Sequence, residues 1–342
     1  MNNKVNVAVL GSTGFVGLEL IKILLNHPNV NINFIGSENH YNKNISDFNK
    51  GIQSSNLPVI KKNEEFEELK SDVVFLCLPH GISHFYVKKY IDKLTIIDLS
   101  ADFRLDSNEV YSLNYNDSHS CPELLSSFVY GLCELNIQNI KNSKNIAVPG
   151  CYPTSILLPL IPLLKKNLII ENNIIIDSKS GFSGAGKKFD ISNIKNHNDF
   201  NFYNYNTNQH RHICEISQEL RKNTKEDIYF SFNPHILPNY RGMMSTIYCD
   251  LKKNASFEDI ENTLLNFSRN LKFVKLIRGN KKFDFFEIQN TNNCMIRVLK
   301  HNQNKSIIII SLIDNLIKGA AGQAIQNFNI CFNFAEELGI PI

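Results

Sequence analysis

At 342 residues, with 43% hydrophobic and 20% charged side chains, the chain is a folded globular protein long enough for two domains. A net charge of +3, with basic residues scattered in short runs such as Lys187-Lys188, argues against a nucleic-acid or membrane surface as its partner. Its apolar runs fall well short of the roughly 20 residues of a membrane span, and the N-terminus enters a strand pattern without a signal-peptide region, so a cytoplasmic protein is expected.

Val5–Leu10 is a short apolar run suited to a buried parallel strand. Gly11-Ser12-Thr13-Gly14-Phe15-Val16-Gly17 follows, and Leu18–Leu25 then shows helical apolar spacing. A glycine turn between a strand and a helix is the context of a dinucleotide site. Gly11 permits the tight turn, Gly14 lets the backbone approach a pyrophosphate, and Gly17 lets the helix pack closely on the strand. The spacing G-x-x-G-x-x-G is not the commoner G-x-G-x-x-G, and a bare glycine turn is the alternative. Further short apolar runs at 32–36, 72–78, 95–100 and 144–148 predict more strands of a Rossmann-type, doubly wound parallel sheet in an α/β chain. Leu78-Pro79-His80-Gly81 then lies at its carboxyl edge. After the second strand, Glu38 suits a ribose hydroxyl and NAD, whereas Ser37 with His40 or Lys43 suits a 2′-phosphate and NADP. Residue chemistry alone leaves the two open.

Eight cysteines occur without C-x-x-C or regular spacing, so neither a disulfide framework nor a zinc site is expected. Cys151 stands apart: it follows a strand and Pro149-Gly150, and Tyr152-Pro153-Thr154-Ser155 opens a helix behind it. A thiol at a helix N-terminus is biased towards the thiolate. Of the others, Cys77 reads as mid-strand, Cys249 and Cys331 as packing positions, Cys121, Cys133 and Cys294 as loop residues, and Cys214 as packed on a helix. A nucleophile needs a proton-transfer partner, and Gln209-His210-Arg211-His212-Ile213-Cys214-Glu215 is the densest candidate segment. His212 and Glu215 are three apart and could share a helix face, with His210 in the preceding loop. Too few ligands of suitable type stand here for a metal, and none is expected.

Ser178–Lys188, S-K-S-G-F-S-G-A-G-K-K, reads as a glycine-rich turn after a strand, carrying Lys187. Phe232–Gly242, F-N-P-H-I-L-P-N-Y-R-G, reads as a second, carrying His235 and Arg241. Arg104, just past the strand at 95–100, suits an anion or an ion pair with Asp98 or Asp102. Asp314 or Asn315 is a possible cap for a last helix whose Gly319, Ala320, Ala321 and Gly322 permit close packing on another backbone or a flat ligand.

Taken in order, G-S-T-G-F-V-G-L-E-L, L-C-L-P-H-G-I-S, I-I-D-L-S-A-D-F-R-L, V-Y-G-L-C-E-L-N, V-P-G-C-Y-P-T-S, S-G-A-G-K, H-R-H-I-C-E-I, P-H-I-L-P-N-Y-R-G and K-G-A-A-G-Q-A-I-Q-N closely resemble the N-acetyl-gamma-glutamyl-phosphate reductases of arginine biosynthesis. The resemblance spans residues 7 to 329, and V-P-G-C-Y-P-T is its most specific part. It implies NADPH-dependent reduction of N-acetyl-glutamyl 5-phosphate to N-acetyl-glutamate 5-semialdehyde, through a thioester on Cys151. It implies acid/base work by His210 or His212, with His210 favoured, and substrate binding by Arg104, Lys187, Glu215 and Arg241. The dinucleotide is expected on Gly11, Ser12, Thr13, Gly14, Phe15, Val16, Ser37, Pro79, Ser183, Gly184 and Asn315. The implied architecture is a nucleotide domain of residues 1–150, completed by a returning helix at 315–342, and an α+β catalytic and dimerisation domain of 151–314 built on a mixed sheet. A small-molecule substrate and a homo-oligomer, dimer or tetramer, are further expectations. Two departures stand out. Members usually carry Ser-Arg after the second strand, whereas Glu38 follows Ser37 here, so NADP is expected but NAD stays open. Cys133 replaces the usual proline. The rival readings are an aspartyl- or aminoadipyl-phosphate reductase and a dinucleotide sensor without turnover.

Overall fold

In the computed structural model, which describes all residues except 1–3, 53–56, 116, 188, 194, 197–198 and 302–304, the short apolar runs become strands of a parallel sheet. The chain divides into two units, Met1–Gly150 with Ala320–Pro341, and Cys151–Gly319 with Ile342. The first unit contains β1 (Val5–Leu10), α1 (Phe15–Leu25), β2 (Val30–Gly36), β3 (Val73–Leu76) and α2 (Ser83–Tyr90). It continues with β4 (Thr95–Asp98), α3 (Asn108–Tyr115), β5 (Val129–Tyr130), α4 (Cys133–Lys141) and β6 (Asn145–Ala147). The six strands run parallel in the order β2-β1-β3-β4-β6-β5. Both faces of such a sheet are covered, which is why β3 is buried along its whole length and reads as a continuous apolar run. The chain leaves β1 to one side for β2 and returns to the other for β3. This reversal is the switch point at which doubly wound sheets bind ligands, and the glycine turn lies there.

The second unit begins with α5 (Cys151–Lys165), buried from Tyr152 to Leu164, as a helix apolar on all sides must be. Then follow β7 (Ile174–Gly181), the small hairpin β8 (Lys195–Asn196) and β9 (Asp199–Phe200), β10 (Tyr203–Asn204) and α6 (His212–Arg221). The rest is β11 (Phe230–Leu237), β12 (Met243–Asp250), α7 (Phe257–Ser268), β13 (Val274–Leu276), β14 (Cys294–His301) and β15 (Ser306–Ile313). Seven of these strands form one sheet in the order β10-β11-β7-β12-β15-β14-β13. It is mixed, as the resemblance implied: β11–β7 and β13–β14 are parallel and the remaining pairs antiparallel. A π-helical turn, Ile317–Ala321, precedes α8 (Gly322–Cys331). Helix α8 packs on α1 and α4, and Asn327 Nδ2 donates to the Gly131 carbonyl at 2.8 Å. Residues 315–319 stay with the second unit, so the return begins at Ala320 and not at 315.

The structure corrects several local readings. Phe232–Leu237 is not turn text but the body of β11; Pro234 brings no amide to the ladder, yet its carbonyl accepts from Tyr205 at 3.1 Å. Likewise Ser178–Gly181 ends β7, and only Phe182–Ala185 forms the turn. Cys133 and Cys294, read as loop residues, are the first residues of α4 and β14, and Cys77 lies just past β3. Proline and glycine punctuate sequence strongly, but ladder partners decide where a strand ends.

Candidate active site

In the first unit, the turn after β1 is shaped by what its glycines avoid. Gly11 has φ +76°, and a Cβ there would lie 2.2 Å from the Cys77 carbonyl oxygen. A Cβ on Gly17 would lie 2.5 Å from the Gly11 oxygen, so this glycine sets helix–strand packing. Gly14 differs: its nearest atom would be the Gly11 oxygen at 3.5 Å, an ordinary contact. Gly14 is also the N-cap of α1, which has no side-chain cap and no acidic residue in its first turn. A helix start of this kind suits an anion. Ser12 Oγ is fully buried and meets no hydrogen-bond partner, while Thr13 Oγ1 bonds Ser37 Oγ at 2.8 Å. The turn thus offers a buried hydroxyl awaiting a partner and an uncapped helix end, and a dinucleotide pyrophosphate fits both. Phe15 and Val16 form the first turn of α1. Glu38 is exposed, His40 packs edge-on to Phe48 at 4.7 Å, and the Lys43 ammonium lies 5.9 Å from the same ring.

Two buried carboxylates organise the loops after β3 and β4. Asp102 accepts from the Gly81 amide at 2.8 Å, the Ser83 amide at 3.1 Å and Tyr111 OH at 2.9 Å. Asp98 accepts from Ser83 Oγ at 3.0 Å and Ser100 Oγ at 2.7 Å. Burial and the neighbouring Asp102 push Asp98 up to about 7. The exposed Pro79 and the largely buried Arg104 therefore stand on loops bonded to each other. Arg104 Nη2 donates to the Leu99 carbonyl at 3.0 Å.

In the second unit, Cys151 is the first residue of α5 and partly accessible. Desolvation keeps several other thiols protonated, pushing Cys121 up to about 11, Cys249 and Cys331 to about 12, and Cys77 higher still. Gly319, in the π turn, packs against Cys151, since a Cβ there would lie 2.7 Å from the cysteine's own. Tyr152 presents its ring edge-on to His210 at 5.3 Å and His212 at 5.9 Å, and the two histidine rings are 4.8 Å apart. His212 opens α6 and His210 precedes it; both are buried, and Glu215 is fully so. His210 Nδ1 accepts from the His212 amide at 3.1 Å, which leaves the proton of the neutral ring on Nε2, 3.4 Å from Tyr205 OH. Burial, helped by Arg211, lowers His210 to about 4, so the ring is neutral at physiological pH. Burial also raises Tyr205 to about 12, which keeps this hydroxyl protonated.

The remaining expected residues cluster around Asn315. Its Oδ1 accepts from the Gly242 amide at 2.9 Å, and its Nδ2 donates to Ser183 Oγ at 2.9 Å. Gly184, on the same turn, and Lys187, two residues past it, are exposed, and partial desolvation lowers the Lys187 ammonium. Arg241, beside Gly242, donates from Nη1 to Asn290 Oδ1 at 2.6 Å and to Asp314 at 3.3 Å. Lys188 lies outside the described residues.

Sequence reasoning missed the aromatic surround of Tyr152, Tyr205 and Phe232, and a hydroxyl chain beneath α5. Ser245 Oγ bonds both Ser155 Oγ and Ser178 Oγ at 2.7 Å, and Ser155 Oγ donates to the Tyr152 carbonyl at 3.0 Å. One signal was available: Ser245 falls on the inward alternation of β12, where a serine needs a partner. Among the described residues no group of three His, Cys, Asp or Glu side chains is placed to hold a metal, and no helix is long and apolar enough to cross a membrane.

Residues 6–143 match the model of the semialdehyde dehydrogenase NAD binding domain, and residues 151–315 that of the semialdehyde dehydrogenase dimerisation domain. The N-acetyl-gamma-glutamyl-phosphate reductase of Ehrlichia canis is 42% identical over 342 residues, covering 99% of this chain and 98% of the relative. The protein of that name from Caldicellulosiruptor bescii is 44% identical, covering 98% of both chains. Among solved structures, aspartate semialdehyde dehydrogenase II of Vibrio cholerae matches the fold with a TM-score of 0.75 at 18% identity, covering 97% of this chain and 99% of that one. The Candida albicans aspartate semialdehyde dehydrogenase with NADP matches with a TM-score of 0.66 at 18% identity, covering 98% of this chain and 100% of that one. The turn at the sheet switch point, the cysteine opening a buried helix and these whole-length matches agree: the chain is an oxidoreductase that belongs to the N-acetyl-gamma-glutamyl-phosphate reductase family.

Proposed function

We propose that the chain reduces N-acetyl-glutamyl 5-phosphate to N-acetyl-glutamate 5-semialdehyde and phosphate in arginine biosynthesis, with NADPH as reductant and Cys151 as nucleophile. The observation that carries the reading is the Cys151 thiol at the start of α5, one residue before a tyrosine ring in contact with two buried histidines. The Cys151 thiolate adds to the acyl carbonyl, and the tetrahedral adduct expels phosphate to leave a thioester. A bound reduced nicotinamide would supply the hydride for the thioester carbonyl, and collapse of the thiohemiacetal on Cys151 would then free the aldehyde and restore the thiolate. Neutral His210, with its proton on Nε2, suits donation to the carbonyl oxygen as charge develops there. His212 is the neighbouring candidate for the same work. Arg104, Arg241, Lys187 and Glu215 are the proposed substrate contacts, the cations suiting its phosphate and carboxylate groups.

The uncapped start of α1, with Gly14 and the buried Ser12 hydroxyl, supports pyrophosphate binding. Phe15, Val16, Pro79, Ser183, Gly184 and Asn315 complete the proposed dinucleotide contacts. Ser37, held by Thr13, is placed after β2 where the adenosine ribose is tested, and it favours a 2′-phosphate; the exposed Glu38 beside it favours a ribose hydroxyl. Self-association through the second unit is part of the proposal and rests on the dimerisation-domain match. The test is phosphate-dependent reduction of NADP and of NAD by purified protein, with N-acetyl-glutamate semialdehyde and aspartate semialdehyde in parallel. Turnover with the first aldehyde and NADP is expected. Turnover with aspartate semialdehyde alone would replace the substrate, and a preference for NAD would assign Glu38 the deciding role.

A further inference from the structure

Asp314 is fully buried at the end of β15, and each of its oxygens holds something different. Oδ2 accepts from the Asn290 amide at 2.7 Å and from Arg241 Nη1 at 3.3 Å. Oδ1 accepts from the Leu316 and Ile317 amides at 2.8 and 3.2 Å, capping the π-helical turn. Its main-chain oxygen accepts from the Gly319 amide at 2.9 Å, the i to i+5 bond of that turn. Gly319 is the residue packed on the Cβ of Cys151. On the Arg241 side, Asn290 sits in left-handed backbone at φ +62° and lends its Oδ1 to the same guanidinium nitrogen.

One carboxylate therefore fixes both a proposed substrate cation and the turn that backs the thiol. We propose that Asp314 is a positioning residue, holding the Arg241 guanidinium for an anionic substrate group and setting the seat of Gly319 against Cys151. The inference rests on the proposed roles of Cys151 and Arg241. A loop staple with no functional reach would show the same bonds, so the variants must separate the two.

The primary variant is Asp314→Asn, which keeps shape and an acceptor oxygen but removes the charge facing Arg241. It is measured beside Arg241→Ala and the double variant, reading KM and kcat for acyl-phosphate reduction. The rate of iodoacetamide alkylation at Cys151, located by peptide mass, is read on the same samples. Asp314→Asn is expected to raise KM about tenfold with a smaller fall in kcat, and the double variant to match Arg241→Ala within about twofold, because the two act as one unit. Alkylation of Cys151 is expected to change by about threefold or more in Asp314→Asn and to stay at the wild-type rate in Arg241→Ala. Multiplying effects in the double variant, or an unchanged alkylation rate in Asp314→Asn, would overturn the proposal. Should Asp314→Asn fail to fold, Asn290→Gly removes one acceptor from Arg241, keeps the left-handed backbone that presents its amide to Asp314, and leaves the cap of the π turn in place. It should raise KM without touching alkylation, and no rise in KM counts against the proposal. If the wild-type chain does not reduce the acyl phosphate, the functional reading falls, while the alkylation arm still decides the role of Asp314.

Discussion

The nucleotide-binding end of the first unit is built from backbone, whereas the thiol end of the second is built from sunken side chains. After β1, Gly11 and Gly17 are required because any Cβ would strike main-chain oxygens, and the groups proposed to meet the pyrophosphate are a helix start without a side-chain cap and the Ser12 hydroxyl. Around Cys151 stand the buried side chains Tyr152, His210 and His212, with the half-buried Tyr205 beside them, and desolvation sets the titration of Tyr152, His210 and Tyr205. The same physics acts with opposite results in the two places. Desolvation lowers His210 to about 4 and makes it neutral, while in the first unit it raises Asp98 to about 7 and lets a carboxyl keep its proton. A backbone site tolerates changes in nearby side chains but not an added Cβ. A side-chain site is sensitive to changes in the side chains themselves.

The largest effect expected is at the thiol. Cys151→Ser should reduce turnover by about 10⁴-fold or more, because a serine hydroxyl here has no comparable acidity, and dinucleotide affinity should stay nearly unchanged. Steady-state kinetics and a fluorescence titration with the reduced dinucleotide check both halves. Loss of both together would mark Cys151 as structural and erase the division of labour. Next come the glycines. Gly11→Ala forces a Cβ into the Cys77 carbonyl at positive φ and should destabilise the fold by about 3 kcal/mol or more, read by denaturant unfolding. Gly14→Ala meets no such clash, so its stability should be near that of the wild type, with dinucleotide affinity reduced by about tenfold or more. A Gly14→Ala variant that binds normally would break the backbone half of the comparison.

The smallest effect is in the pH dependence of stability. His210 titrates near 4 when folded against an ordinary 6.5, so the unfolded chain binds its proton first as the pH falls. Its contribution is complete above about pH 6.5 and is lost towards pH 4. Asp98 titrates near 7 against an ordinary 3.8, so here the folded chain holds the extra proton. That contribution is complete below about pH 4 and is lost as the pH rises through 7. Over their windows these amount to at most about 3 kcal/mol for His210 and about 4 kcal/mol for Asp98. Unfolding measured from pH 4 to 8 should show His210→Gln removing the acid-side loss and Asp98→Asn removing the loss towards neutral pH. A stability curve that neither variant alters would show that burial does not set these groups.

Sequence made the first unit more legible than the second for the same reason. A glycine forced by sterics is visible at its own position, and the strand–turn–helix order places it. The mixed sheet came only through resemblance, because β11 contains Pro234 and ends in text that reads as a turn. Cys151 was visible from its flanking prolines, glycine and helix. Asp314 appeared only as a possible cap, because its links to Arg241 and Asn290 join residues far apart in the chain. The same holds for Ser155, Ser178 and Ser245, whose hydroxyl chain depends on which strands are neighbours. Local chemistry leaves a local mark, and positioning through the sheet leaves none.

The central claim is that Cys151 carries the acyl group. Mixing the protein with N-acetyl-glutamyl 5-phosphate in the absence of reduced dinucleotide, and quenching with acid, isolates that step. The account predicts release of about one equivalent of phosphate per active chain and an acyl adduct on the Cys151 peptide, which reduced dinucleotide then discharges as aldehyde. A chain that turns over normally yet shows neither the adduct nor the phosphate burst would contradict it.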